Sequence, residues 1–145
     1  MKPKRKYPFS LFASAAALVL IVAGGTLAHT PSVAAASDLD AQVNREGPVQ
    51  VRVKPRSLAA DAKVWEFEVA FNTHSVPIDG DPATFSVLVD ASGKPHAALA
   101  WQGDPPGGHH RRGVLQFKPL ANEKAVELHI NGVAGVATRS FRWQR

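Results

Sequence analysis

The chain has 145 residues, 17 Lys+Arg against 12 Asp+Glu, no Cys and a single Met at its start. That length suits one domain, and the missing cysteines exclude a disulfide framework, a lipid-modified N-terminal cysteine and a thiolate blue-copper centre. Four of the basic residues (Lys2, Lys4, Arg5 and Lys6) precede Ala36, which leaves 13 Lys+Arg against 12 Asp+Glu over the rest of the chain. A nucleic-acid-binding domain carries its basic excess on the folded part, so this balance argues against nucleic acid as a partner.

The first 36 residues read as a secretory signal peptide. A basic start is followed by an apolar run over residues 9–23, then Gly24-Gly25, then small residues at Ala34-Ala35-Ala36 that suit cleavage. The alternative is an uncleaved anchor within residues 9–28. The stretch 11–28 has no charge and is at the short end of what crosses a bilayer, with the basic residues holding the N-terminus in the cytoplasm. Either way the remainder is exported to the periplasm or beyond, and the membrane is met only through this segment. Residues 37–47 are polar and aperiodic and read as a linker; residues 48–145 form the domain.

Within the domain the signal is alternation. Val49, Val51 and Val53 alternate with Gln50, Arg52 and Lys54 until Pro55, where the strand is expected to end. Trp65, Phe67, Val69 and Phe71 alternate with Glu66, Glu68 and Ala70, the clearest strand in the chain. A loop over 72–82 holds Thr73-His74-Ser75 and the turn-forming Asp79-Gly80-Asp81-Pro82. Phe85, Val87 and Val89 alternate next, Ser92-Gly93 turns the chain, and weaker strands follow over 97–102 and 114–118. Val126, Leu128 and Ile130 lead into Asn131-Gly132, a strong hairpin signal, and a last strand spans about 136–143. Seven short strands without a helix predict an all-β fold, an antiparallel β-sandwich of immunoglobulin-like topology, with a cupredoxin-like arrangement as the alternative. Trp65, Trp101 and Trp143 are the expected core fillers.

The unusual chemistry lies between two strands, in Gly103-Asp104-Pro105-Pro106-Gly107-Gly108-His109-His110-Arg111-Arg112. Neutral imidazole is the commonest protein ligand for Zn and Cu(II). Gly107-Gly108 allows the bend that adjacent histidines need in order to converge. His109, His110 and His74 are therefore candidate nitrogen ligands for Cu or Zn, with Asp104 as a possible oxygen ligand. The spacing matches no established metal signature. Two other readings stand beside it: a rigid structural loop whose side chains cap backbone groups, and an anion site made of the Gly107-Gly108 amides with Arg111 and Arg112. His96 and His129 are explained by their strands. No G-x-S-x-G elbow, H-E-x-x-H helix or completed calcium loop occurs, so the chain is not expected to be an enzyme.

The runs Thr73-His74-Ser75-Val76, Trp101-Gln102-Gly103-Asp104-Pro105-Pro106-Gly107-Gly108-His109-His110-Arg111 and Gly113-Val114-Leu115-Gln116-Phe117 resemble a small exported prokaryotic domain family of unassigned function. The resemblance implies one compact domain over about 49–143 and joins His74 to the His109-His110 loop. The functional expectation is an exported binding or accessory domain of the cell envelope, with its loop histidines as the candidate ligands of a transition metal. The rival is an immunoglobulin-like structural or interaction module that contacts a protein partner and holds no metal.

Overall fold

The computed structural model describes residues 39–145; the expected signal or anchor segment and the first linker residues lie outside them. No helix among the described residues is long and apolar enough to cross a membrane. Among the described residues there are nine strands: β1 (Gln42–Asn44), β2 (Val49–Ser57), β3 (Trp65–Thr73), β4 (Ser86–Val89), β5 (Pro95–Ala97), β6 (Ala100–Gly103), β7 (His110–Phe117), β8 (Ala125–Asn131) and β9 (Thr138–Gln144). They form two sheets, ordered β1-β2-β3-β7-β6 and β5-β4-β8-β9, with antiparallel pairing throughout. With β1 set aside, these are the strand orders A-B-E-D and C′-C-F-G of an immunoglobulin-like sandwich.

Alternation builds the core as read from the sequence. Every second residue of β3 is buried, and Trp65, Phe67, Val69 and Phe71 are at most 2% exposed. They face Val126, Leu128 and Ile130 of β8 and Phe141 and Trp143 of β9 within one cluster. Antibody domains bridge their sheets with a disulfide; here the sheets meet through aromatic packing, Phe67 of β3 against Trp143 of β9. Phe67 lies 5.6 Å from both Phe117, edge-on, and Trp143. Each indole N–H leaves the core by donating to a loop carbonyl: Trp65 to Ala59, Trp101 to Asp104 and Trp143 to Asp40. A buried Trp needs such a partner, so the three tryptophans also tie down loops.

Four expectations need correction. The single strand expected over 97–102 is two, β5 and β6, which lie in different sheets, so that with β1 there are nine strands among the described residues where seven were expected. Part of the linker, residues 42–44, is a strand: β1 pairs with β2, Gln42 hydrogen-bonds Arg142 through side chain and backbone, and Asp40 receives the Trp143 indole. The second strand does not stop at Pro55 but runs to Ser57. β1 covers only Val51–Val53, so Pro55 sits where β2 has become an edge, beside a register shift between Pro55 and Ser57; a missing N–H is tolerated there. Asn131-Gly132 is not a two-residue hairpin. Asn131 pairs with Thr138, and the six residues between them include a 3₁₀ turn (Val133–Gly135) with Gly132, Ala134 and Gly135 at positive φ.

The β4–β5 turn holds its own electrostatic device. Asp90 accepts hydrogen bonds from the His96 ring at 2.8 Å, from the Ser92 hydroxyl and from the Ser92 and Lys94 amides. The His96 contact and then these donors hold the Asp90 carboxyl well below the usual carboxylate range. A depressed folded pKa stabilises the native state above the unfolded value, about 3.9 for Asp, and that contribution is lost as pH falls through the folded value. Asp90→Ala is therefore expected to melt below the wild type at pH 7. The gap should narrow as the pH drops below about 4, which thermal melts across pH would detect.

Candidate functional site

One end of the sandwich gathers four of the eight connections between the described strands. β3, β6 and β8 end there and β4, β7 and β9 begin there, so the β3–β4, β6–β7 and β8–β9 connections share it with the β1–β2 turn. Antibody variable domains carry two of their hypervariable loops on the corresponding connections. Two buried arginines hold this end together.

Arg111 is 1% exposed. Its Nη1 donates to the carbonyls of Ile78 (3.1 Å) and Gly80 (2.8 Å), and its Nη2 donates to the Asp104 carbonyl (3.1 Å). The β3–β4 and β6–β7 loops are thereby tied to one side chain. Backbone bonds Ile78 N–H to Gly108 O and Gly107 N–H to Ile78 O close the same contact, with Gly107 and Gly108 at positive φ where a side chain would be strained. Arg139 is fully buried. It donates through Nε to Asn44 Oδ1, through Nη1 to Val133 O, and through Nη2 to Glu46 O at 2.8 Å and, at 3.4 Å, Val49 O. It therefore ties the β8–β9 connection to the β1–β2 turn. Burial pushes both guanidinium pKa values down, and nearby carboxylates (Asp81, Asp104 and Asp79 for Arg111, Glu46 for Arg139) oppose that. Neither arginine has a salt bridge among the described residues; carbonyl dipoles take the place of a counter-ion.

The strand-borne parts of the signature run serve Arg111. Trp101 lies on the inner side, its ring centroid 6.3 Å from Phe71 and 5.7 Å from the Arg111 guanidinium carbon. Gly103 and Gly113 are directly paired across the strands. A Cβ on Gly113 would stand 2.6 Å from both Trp101 Cζ2 and Gly103 Cα, so both positions must be glycine for the indole to lie over the strands. Asp104 closes the hairpin. Its amide donates to Arg112 O, its carboxylate accepts the Arg112 amide at 2.7 Å, and its carbonyl accepts from Trp101 and Arg111.

The four expected metal ligands are only partly brought together. His74 and His110 approach, with ring centroids 6.2 Å apart and nearly perpendicular planes. His110 Nδ1 is committed to Asn72 Oδ1 at 3.0 Å. His109 is exposed, and the carboxylate of Asp104 is occupied by the Arg112 amide. Among the described residues no group of three or more His, Asp or Glu side chains is placed to hold a metal ion. The expected anion site does not form either: Arg111 points into the core, Arg112 points out, and the Gly107 amide is spent on Ile78. His96 and His129 are paired with Asp90 and Glu127.

The reading of a structural loop whose arginines cap backbone carbonyls fits Arg111; its burial, and the whole role of Arg139, were missed from sequence, although parity carried the signal. Counting back by twos from Phe117 puts Leu115, Gly113 and Arg111 on the inner face, and counting back from Trp143 puts Phe141 and Arg139 there.

No family model matches the chain, and no curated protein is similar to it. Among solved structures, a DUF4426 family protein from Pseudomonas aeruginosa PAO1 is similar at 17% identity and a TM-score of 0.44, over 72% of this chain and 94% of that one. The strand order described above, not this likeness, carries the assignment of the fold.

Removing either guanidinium withdraws a donor from several loop carbonyls; those of Ile78, Asp104 and Val133 keep a second donor, and each carbonyl left unsatisfied costs about 1–3 kcal/mol. Arg111→Met and Arg139→Met are expected to lower stability by at least that much in denaturant titrations. Hydrogen exchange should separate them: Arg111→Met frees the Ile78 and Gly107 amides, Arg139→Met the Val136 amide of the β8–β9 turn. Gly113→Ala, which overpacks the Trp101 seat, should cost about 1–3 kcal/mol.

Proposed function

We propose that the chain is an exported, non-catalytic recognition module of the cell envelope that meets a protein partner through this loop end. What supports the reading is the placement of both buried guanidiniums. Burying a charge without a carboxylate partner is costly, and here it holds four connections in one conformation. A surface ordered in advance loses less entropy on binding. Several carboxylates and imidazoles are engaged in ion pairs on the strands: Glu66 and Glu68 with Arg56, Glu127 with His129, Asp90 with His96.

Photo-crosslinking tests this. Benzoylphenylalanine at the exposed positions Pro77, Pro105 and Ala137 of the loop end, and at Ala60 and Ala121 of the opposite end, would be irradiated in living cells. Adducts of discrete mass are expected from the loop end alone. Adducts only from the opposite end, or from no position, would sink the proposal.

Metal capture by His74 and His110 is the second reading, favoured by their 6.2 Å approach. Cu(II), Zn(II) and Ni(II) titration of the metal-stripped chain by calorimetry separates the two. The recognition module binds none stoichiometrically. A micromolar or tighter complex that His74→Ala with His110→Ala abolishes would put metal handling in its place.

A further inference from the structure

The two sheets differ in how their outer faces treat charge. On the β4–β8–β9 face, Glu127 takes both His129 (2.7 Å) and Arg142 (3.7 Å). On the β2–β3–β7 face, the carboxylates are equally committed. Arg56 pairs with Glu66 at 3.0 Å and Glu68 at 3.1 Å, and Gln116 donates to Glu66. Two guanidiniums on that face are left over. Arg52 and Arg112 are exposed, and neither side chain has a hydrogen bond or ion pair among the described residues.

Their positions are set by register. Arg52 pairs with Ala70, and Ala70 pairs with Arg112, so the three residues form one row across β2, β3 and β7 with the smallest side chain in the middle. Two inter-strand spacings put the arginine Cα atoms about 10 Å apart, a span that both side chains can close over a single ligand. A groove of about 620 Å³ lies over this row, reaching Gln102 and Gly103 on one side and Asn72 towards the loop end. The adjoining row, Gln50–Asn72–His110, adds basic groups and no free acid. Arg45 donates to Gln50, and His110 meets Asn72. Glu68 also lines the groove, paired with Arg56, and the Asp104 carboxylate is held by the Arg112 amide.

We propose that Arg52 and Arg112 form a two-sided clamp for a phosphate-type oxyanion seated over Ala70. A tetrahedral group presents acceptor pairs on different edges, so two guanidiniums can each bind it in a bidentate manner at once; a carboxylate has one such edge. The phosphate group is free, part of a small phosphorylated ligand, or a lipid headgroup. The clamp goes beyond the recognition module and does not depend on its loops.

The test uses the full chain, ¹⁵N-labelled, titrated at constant ionic strength with inorganic phosphate, tripolyphosphate and, as a control, chloride. Phosphate or tripolyphosphate is expected to shift the Ala70, Arg112 and Gly113 amides saturably, and chloride is not. Arg52→Gln and Arg112→Gln should each weaken binding about tenfold or more, and the double variant should abolish it. Arg142→Gln, on the outer face of the other sheet, should leave it unchanged. Sedimentation with phosphatidylglycerol vesicles against phosphatidylcholine vesicles assigns the source: binding to the anionic vesicles that needs both arginines marks a headgroup, and binding only to soluble phosphate marks a free ligand. Absence of binding in every arm, or binding that the double variant retains, overturns the clamp. Loop-end crosslinks that persist in the double variant would leave the recognition module standing while the clamp falls.

Discussion

A guanidinium has five N–H donors and no acceptor, and two of them are sealed inside one end of this sandwich. Loop backbones supply the complement, because carbonyls that leave a sheet have no ladder partner and need a donor when buried. Arg111 and Arg139 meet that need from the inner face of each sheet, on β7 and β9. Between them they take in carbonyls or side chains from all the connections at that end. The charge is spread over several carbonyl dipoles and is not neutralised by a single carboxylate. The loops gain definition, because each carbonyl must keep its position to remain satisfied.

The rest of the unusual sequence follows from that constraint. A buried guanidinium needs a flat neighbour, and Trp101 provides it. The indole needs space that only paired glycines leave, so Gly103 and Gly113 oppose one another. The turn that joins their strands is closed by Asp104, which uses its amide, carbonyl and carboxylate in the hairpin. Residues that resemble a binding motif when read in a line are thus largely a device for seating one arginine. What remains outward is Arg112 and His110, one sheet row apart, beside Arg52 and Asn72.

This separation of inward and outward chemistry gives the domain two distinct surfaces. The loop end is tied together through backbone carbonyls held by two buried guanidiniums; the adjoining sheet face is open and carries unbalanced positive charge. Residues 37–145 as a whole are close to neutral, so the imbalance comes from how partners are distributed, not from composition.

The strands were legible from the sequence because alternation is a local property. Each valine or aromatic on β2, β3, β8 and β9 declares its face through its immediate neighbours. The immunoglobulin-like class followed from their number and spacing. β1 was not legible: Gln42–Asn44 is short and polar, and only its pairing with β2 and the contacts of Gln42 and Asp40 to β9 make it a strand. The His109–His110 pair looked convergent because the start of β7 was not visible. Once β7 begins at His110, the direction of every following side chain is settled, so Arg111 turns in and Arg112 out. Local sequence determined which residues alternate and which must be glycine, aromatic or turn-forming. Register and the meeting of distant carbonyls, which depend on contacts between segments far apart in the chain, were decided by the tertiary structure alone.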